Sequence, residues 1–445
     1  MADTYLTRTP SSSSNRKTFT WSGWIKRSQL GATNTLFTSG YSSNAVASLK
    51  FLASDKLDVF DYNSSTQFAV ITNRLFRDTS AWYHIVMRVD TTLATANDRV
   101  RLYVNGEQET SLDTNTQPSQ NYDSLFNGGV DYYIGRYGWT NPDSFDGSMS
   151  HIHFCDGQSY APTEFGETDT TTGQWKIKTS PSVTYGTNGF FILKNGNTIT
   201  DQSGEGNNFT LGGGTLTNTL DCPSNVFATL NALAKPGTGN LPSFGNGNTH
   251  YNKTATGSGN NSMIVATLGA TTGKFYYEYK MNDSNAFIAG ISTLDNTYYD
   301  ANGGSMNTAS GVGVAYQSSG NKIINGTSTS YGNSYGSGNI IGVAFDLVNN
   351  FIYFSKDGVW QNSGDPTSGS SGTGGIGIAT TGITYSPFAQ NNGYNSPSSV
   401  YYNFGNGYFG TTAVTSAGTA GSTPGVFEYD VPSGYQPLTT KGLNA

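Results

Sequence analysis

The sequence predicts an all-β protein made of two antiparallel β-sandwiches of the jelly-roll kind, and three observations lead there. Its 445 residues exceed what one hydrophobic core usually organises, so two domains are expected. Apolar and aromatic residues recur in short alternating runs bounded by Gly, Asn, Asp or Ser, with no long amphipathic helical pattern between them. The same hairpin phrase also occurs twice: RLYVNGEQ at Arg101–Gln108 and FIYFSKDGVWQ at Phe351–Gln361. Asn-Gly and Asp-Gly adopt the positive φ angles of a tight turn, so each phrase reads as a strand that reverses. Leu102 and Val104 then share one face and Arg101 and Tyr103 the other. Ile352 and Phe354 likewise oppose Phe351, Tyr353 and Ser355. One such hairpin per sandwich accounts for the repetition.

In chain order, TFTWSGWIKRS, TLFTSGYSS, SLKFLAS, KLDVFDY, WYHIVMRVD, RVRLYVNG, VDYYIGRYG and GSMSHIHFCDG give the strands of a first domain over residues 1–170. Residues 171–234 hold two more strand candidates, NGFFILKNG and NNFTLGGG, around the polar insert Asp201–Asn207. Residues 235–262 are too poor in apolar side chains to bury themselves and read as a linker or long loop. The second domain, 263–445, runs MIVATLG, GKFYYEYKM, NAFIAGIS, GVGVAYQ, NKIINGT, NIIGVAFDL, FIYFSKDG, GGIGIATTG, YSPFAQ and SVYYNFG, followed by a tail. Strands that follow one another without intervening helices exclude a doubly wound parallel sheet.

Composition narrows the function. Charged residues are only 12%, with 56 Gly, 28 Tyr and 24 Phe, which suits short strands and many turns. A formal charge of -7 and a pI near 5.1 offer no basic surface to displace counterions from a phosphate backbone, so nucleic acid is not expected as a partner. Cys155 and Cys222 are too few for a disulfide framework and fit a reducing compartment of synthesis. The opening MADTYLTRTPSSSSNRK lacks an apolar signal core, and no run of about 20 apolar residues occurs, so neither export nor membrane insertion is expected.

The ordered set TFTWSGWIKRS, AWYHIVMRVD, DRVRLYVNGEQ, YYIGRYG and FDGSMSHIHFCDG resembles the laminin-G-like members of the concanavalin A-like lectin/glucanase superfamily, over roughly Thr4 to Gly166. Gly273–Glu278, Ala289–Ile291, Ile341–Asp346, Phe351–Gly358 and Ser399–Gly405 resemble, in order, the strands of a SPRY domain, a sandwich used for binding other proteins. The pairing of these modules, with FGETDTTTGQW after the first and EYDVPSGYQPL near the end, looks like virion proteins of tailed bacteriophages from aquatic environments. That resemblance implies a protein made in the host cytoplasm, released by lysis and placed on the virion surface as a fibre or head-decoration component. It also implies other virion proteins as partners and a symmetric homo-oligomer.

Catalysis finds little support. The Glu-x-Asp-x-x-Glu pattern of the related glucanases is absent; Glu428 and Asp430 share a face without a third acid, and Glu107 and Glu109 occupy a hairpin arm. No nucleophile elbow lies between a strand and a helix, so no enzymatic activity is expected. In His151-Ile-His153-Phe-Cys155 alternate side chains share a face but stand about 7 Å apart, so at most two could reach one ion; packing is the expected role, as for His84. Gly372-x-Gly374-x-x-Gly377 lacks the strand-loop-helix of a dinucleotide fingerprint and reads as a loop. No cofactor is required. The laminin-G resemblance makes Asp143 and Asp146 in TNPDSFDGS candidate oxygen donors to Ca²⁺, although an ordinary turn explains them as well.

Binding is the remaining expectation. Tyr137, Trp139, Tyr298 and Tyr299 fall in loops, where flat rings cover the apolar face of a sugar or anchor a protein contact. The primary expectation is therefore a virion surface protein that engages host carbohydrate through the first domain and other proteins through the second. The alternatives are a purely architectural capsid or tail cement protein without glycan binding and, further down, a glycoside hydrolase.

Overall fold

The computed structural model describes residues 3–138, 143–234, 242–254, 263–283, 286–293, 313–324, 326–378, 382–391, 397–418 and 424–444. It comprises two compact units, Met1–Asn218 and Thr219–Ala445. Among the described residues there is no α-helix, only short 3-10 turns, and no helix long and apolar enough to cross a membrane. The first unit takes in residues 171–218 of the middle section, and the remainder, 219–234, belongs to the second.

The strands of the first unit are β1 Tyr5–Arg8, β2 Thr18–Arg27, β3 Asn34–Ser42, β4 Ala45–Phe51, β5 Lys56–Asn63, β6 Thr66–Leu75, β7 Tyr83–Asp90, β8 Val100–Val104, β9 Glu107–Gln108, β10 Leu112–Thr116, β11 Tyr132–Ile134, β12 Gly147–Asp156, β13 Gly166–Thr168, β14 Trp175–Ile177, β15 Phe190–Ile192 and β16 Thr210–Gly213. An eight-stranded sheet runs β10-β6-β5-β4-β3-β11-β1-β16 and a six-stranded sheet β15-β12-β2-β7-β8-β9, while β13 and β14 form a separate hairpin. Alternation decides what lies between the two sheets. Phe19, Trp21 and Ile25 of β2, Leu49 and Phe51 of β4, Leu57 and Val59 of β5, and Leu102 and Val104 of β8 all enter one buried cluster.

The second unit contains β17 Ser243–Gly245, β18 His250–Lys253, β19 Met263–Val265, β20 Lys274–Met281, β21 Phe287–Thr293, β22 Gly313–Gln317, β23 Asn321–Ile324, β24 Thr327–Ser330, β25 Ile340–Asp346, β26 Phe351–Lys356, β27 Val359–Trp360, β28 Ile376–Gly377, β29 Tyr385–Asn391, β30 Ser398–Asn403, β31 Tyr408–Phe409, β32 Thr412–Ala413 and β33 Gln436–Pro437. One sheet runs β17-β18-β30-β20-β25-β26-β27, with β28 on β26 and β33 parallel to β20; the other runs β19-β29-β21-β22-β23-β24. Tyr277, Tyr279, Ile341, Val343, Ile352 and Phe354 lie in the core between them.

The stretch read as a linker is corrected in part. Residues 243–245 and 250–253 form β17 and β18 and extend the larger sheet beside β30. Backbone pairing supplies what the side chains lack, and the fully buried Tyr251, with Phe244 packed at the edge, ties the segment to the core. Residues 235–241 and 255–262 lie outside the described residues.

Both repeated phrases fold as expected. Asn105 (φ 51°) and Gly106 (φ 86°) join β8 to β9, and Asp357 (φ 49°) and Gly358 (φ 80°) join β26 to β27. Positive φ at both central residues is the geometry that matches strand twist in a two-residue hairpin.

Candidate functional site

In the first unit, the outer face of the six-stranded sheet is covered by later chain. Val86, Tyr103, Cys155 and Phe191 project from β7, β8, β12 and β15 and are buried against Phe165 and Tyr185. The β13–β14 hairpin lays Trp175 over the β8–β9 turn, where a Cβ on Gly106 would stand 2.6 Å from the indole. Gly106 is therefore required both for its φ and for this close approach.

The histidines of this face are structural. Trp175 Nε1–H donates to His84 Nδ1 at 3.0 Å, which leaves Nε2–H of the neutral ring to donate to Ser22 Oγ at 2.9 Å. His84 also stacks on Trp24, with centroids 4.9 Å apart, and burial pushes its pKa down to about 3. His153 stacks on Phe191 at 3.9 Å, shares a 2.9 Å hydrogen bond with Tyr185 Oη, and is held well below the usual value by burial. His151 occupies a bulge at φ 50°, bonds Ser150 Oγ at 2.8 Å, and is pushed down to about 4 by burial and then by Lys194. Cys155 is buried and its thiol is pushed up. Among the described residues no group of three or more His, Cys, Asp or Glu is placed to hold a metal.

These histidines set an acid response. Below pH about 6.5 the unfolded chain binds protons that the folded rings refuse, so stability falls by about 1.4 kcal/mol per pH unit for each such ring as pH drops. For His84 the loss continues to about pH 3. Gln at position 84 has an oxygen for Trp175 and an amide for Ser22, so His84→Gln is expected to reduce the pH slope of the urea-unfolding free energy by close to one proton between about pH 6 and pH 4. An unchanged slope contradicts this assignment.

The outer face of the eight-stranded sheet carries a different group. Lys50 of β4 and Asp58 of β5 are cross-strand neighbours, and Phe60 follows Asp58 on the same face. The loop between β11 and β12 brings Tyr137 onto Phe60, with centroids 6.4 Å apart and planes 27° apart. Lys50 Nζ lies 4.5 Å from the Phe60 centroid and 4.9 Å from that of Tyr137, but 4.0 Å from Asp58 Oδ2, outside hydrogen-bond reach. Asp58 is 6% exposed, and its Oδ1 has no hydrogen-bond partner among the described residues. Burial pushes Asp58 up to about 6, with Lys50 opposing, while Lys50 is lowered by burial against the attraction of Asp58 and Asp143.

A carboxyl whose folded pKa is raised gains stability as pH falls through that value, so Asp58 opposes folding at neutral pH. Asp58→Asn is expected to raise the unfolding free energy by about 1–3 kcal/mol at pH 7. The gain should vanish below about pH 4, where the wild-type group is protonated whether folded or unfolded; a variant less stable than wild type at pH 7 counts against this.

Of the loop residues selected from sequence, only Tyr137 lies among those described; Trp139, Tyr298 and Tyr299 lie outside them. The backbone carbonyls of Asp143 and Asp146 accept hydrogen bonds from Thr35 N–H (3.2 Å) and Ser28 N–H (2.9 Å), tying the loop to the sheet. Burial raises the Asp146 carboxyl, and among the described residues no third acidic group joins the pair. Lys50, Asp58 and Phe60 were not selected. Asp58 and Phe60 lie in KLDVFDY and Lys50 in the preceding strand, SLKFLAS, but the loop that covers them comes about 80 residues after Asp58.

In the second unit a buried carboxylate holds the tail. Glu278 on β20 is fully buried and accepts from Tyr276 Oη (3.0 Å), Asn403 Nδ2 (3.4 Å), Glu428 N–H and Tyr429 N–H (both 2.9 Å). Beside it Phe427, Val431 and Tyr435 pack on Tyr276, Ala344 and Tyr353. The side chain of Glu428 is half-buried and accepts from Thr415, while Glu109 pairs with Arg74 at 3.1 Å and Glu107 is exposed at its hairpin. Gly372 and Gly374 sit in a loop that leads directly into β28.

A family model described as the concanavalin A-like lectin/glucanases superfamily matches residues 2–164, and a SPRY domain model matches residues 274–375. The chain joins a concanavalin A-like domain to a SPRY domain. Both matches stop short of the covering segments, since Trp175 and Tyr185 lie beyond the first and Phe427 to Tyr435 beyond the second. Among solved structures, the SPRY domain of human HERC1 is 18% identical, with 35% of this chain and 87% of that one covered, at a TM-score of 0.26. A heptameric SAP-like pentraxin from Limulus polyphemus is 16% identical over 36% and 72% of the two chains, at a TM-score of 0.28. Domains LG4-5 of the mouse laminin alpha1 chain are 10% identical over 97% and 92%, at a TM-score of 0.30. A search of the curated proteins returns no match.

Proposed function

We propose that this chain is a non-catalytic binding protein of a bacteriophage virion surface, a fibre or head-decoration component. In this reading the concanavalin A-like domain engages carbohydrate on the host surface and the SPRY domain contacts neighbouring virion proteins. The observation that carries the binding role is the contrast between the two outer faces of the first sandwich. One is closed by Trp175 and Tyr185 with its imidazoles engaged, and the other presents the half-buried Tyr137 beside Lys50 and Asp58. An aromatic ring beside charged hydrogen-bonding groups is the usual equipment of a sugar site. Of the acids weighed for catalysis, Glu109 pairs with Arg74 and Glu428 is bonded by Thr415.

Binding at such a shallow site is weak per copy and is multiplied when many copies share one particle, so the reading includes a symmetric homo-oligomer and requires no cofactor. A glycan array, together with retention of the protein by host cells, tests it. Release of reducing sugar from host polysaccharide, abolished by Glu107→Gln or Glu428→Gln, overturns the non-catalytic role. The stacking of Tyr137 on Phe60 favours a second reading, an architectural cement protein in which the loop aromatics only pack. Glycan-specific retention has no place in that alternative.

A further inference from the structure

The contact pattern around Lys50 locates the carbohydrate site and its chemistry more closely, an inference that rests on the binding role proposed above. Two complementary groups lie side by side with unmet hydrogen-bonding capacity. Lys50 Nζ carries three donors, its nearest ion-pair oxygen is at 4.0 Å, and what it does contact is the faces of Phe60 and Tyr137. Asp58 Oδ1 is an acceptor held out of water with no partner among the described residues. A buried polar atom left without a partner is uncommon in native structures and calls for an explanation.

The geometry points to a subsite for a vicinal diol of a neutral sugar ring, in which Lys50 Nζ donates to one hydroxyl, the neighbouring hydroxyl donates to the Asp58 carboxylate, and Tyr137 with Phe60 supplies the apolar wall. A hydroxyl both donates and accepts, so adjacent hydroxyls satisfy an ammonium and a carboxylate at once, and no purely apolar or purely anionic ligand does so. Charge selects a neutral ring. The ammonium of Lys50 already faces the Asp58 carboxylate at 4.0 Å, so a uronic or sialic acid would bring a second negative charge beside Asp58.

The test uses the full-length protein on an array of neutral, amino-sugar and uronic or sialic acid oligosaccharides. Wild type is compared with Lys50→Met and Asp58→Asn, and thermal melting verifies that each variant is folded. The expected result is retention of a neutral glycan that weakens about tenfold or more in both variants. The strongest such glycan should also protect Lys50 of the wild-type protein from N-hydroxysuccinimide acetate, read by mass spectrometry, a measurement that needs no variant. Neutral-glycan retention that neither variant weakens, or unprotected Lys50 under saturating glycan, places the site elsewhere and overturns this inference while the proposed function stands. Preference for acidic or amino sugars overturns the neutral-diol assignment. Retention of no glycan by wild type removes both this subsite and the carbohydrate role.

Discussion

Glu278→Ala is expected to destabilise the SPRY unit by about 3–5 kcal/mol, since it leaves several buried donors unpaired at once. The donors are the hydroxyl of Tyr276 and the backbone N–H groups of Glu428 and Tyr429, while the Asn403 amide keeps the Val426 carbonyl. Two of them belong to the tail, so its attachment should loosen before the sheet does. Limited proteolysis should then cut after Phe427 or Tyr429 in the variant under conditions that leave wild type intact, and chemical denaturation should show an early loss of the second unit. Glu278→Gln keeps an oxygen for one pair of donors but turns an NH₂ toward the other, so its effect should be smaller. An alanine variant within about 0.5 kcal/mol of wild type would falsify the clamp.

Arg27→Met is expected to cost the concanavalin A-like unit about 2–5 kcal/mol, from two carbonyls left without a donor, measured by urea unfolding. The guanidinium is fully buried, bonds the carbonyls of Phe76 (2.6 Å) and Gln29 (3.1 Å), pairs with Asp55 Oδ1 at 3.1 Å, and lies 4.4 Å from the Phe51 centroid. Methionine fills comparable space but leaves both carbonyls dry. Asp55 retains Gly31 N–H and Arg77, so the loss should not grow into an uncompensated buried charge. Lysine offers a point charge in place of a planar fork, so Arg27→Lys should recover only part of the loss. Equal stability of the methionine variant and wild type would show that packing alone accounts for the site.

Much of the fold was legible because a strand writes its burial into a period of two. The inward set of β8, Leu102 and Val104, and that of β26, Ile352 and Phe354, follow from alternation, and the Asn-Gly and Asp-Gly turns follow from their φ preferences. The strands β17 and β18 were missed because pattern reading weighs side chains, while what recruits them is backbone hydrogen bonding to β30, a partner about 150 residues away. The candidate site was legible only at one residue. Tyr137 stood out as a loop aromatic, whereas Lys50 and Asp58 looked like ordinary outward-facing charges on separate strands.

Sequence alone determined the all-β class, most of the core strands with their inward faces, and the expectation of two sandwiches, since these depend on local periodicity and turn chemistry. It also contained the two stretches FGETDTTTGQW and EYDVPSGYQPL, read there only as part of a resemblance and not as elements of the fold. Only the tertiary structure decided that these become covers, with Trp175 seated on His84 and the Glu428 and Tyr429 amides on Glu278. Whether an outward-facing side chain meets water, a cover or an open site depends on which distant segment returns to it, and chain return is set by packing between elements far apart in sequence, which no local period records.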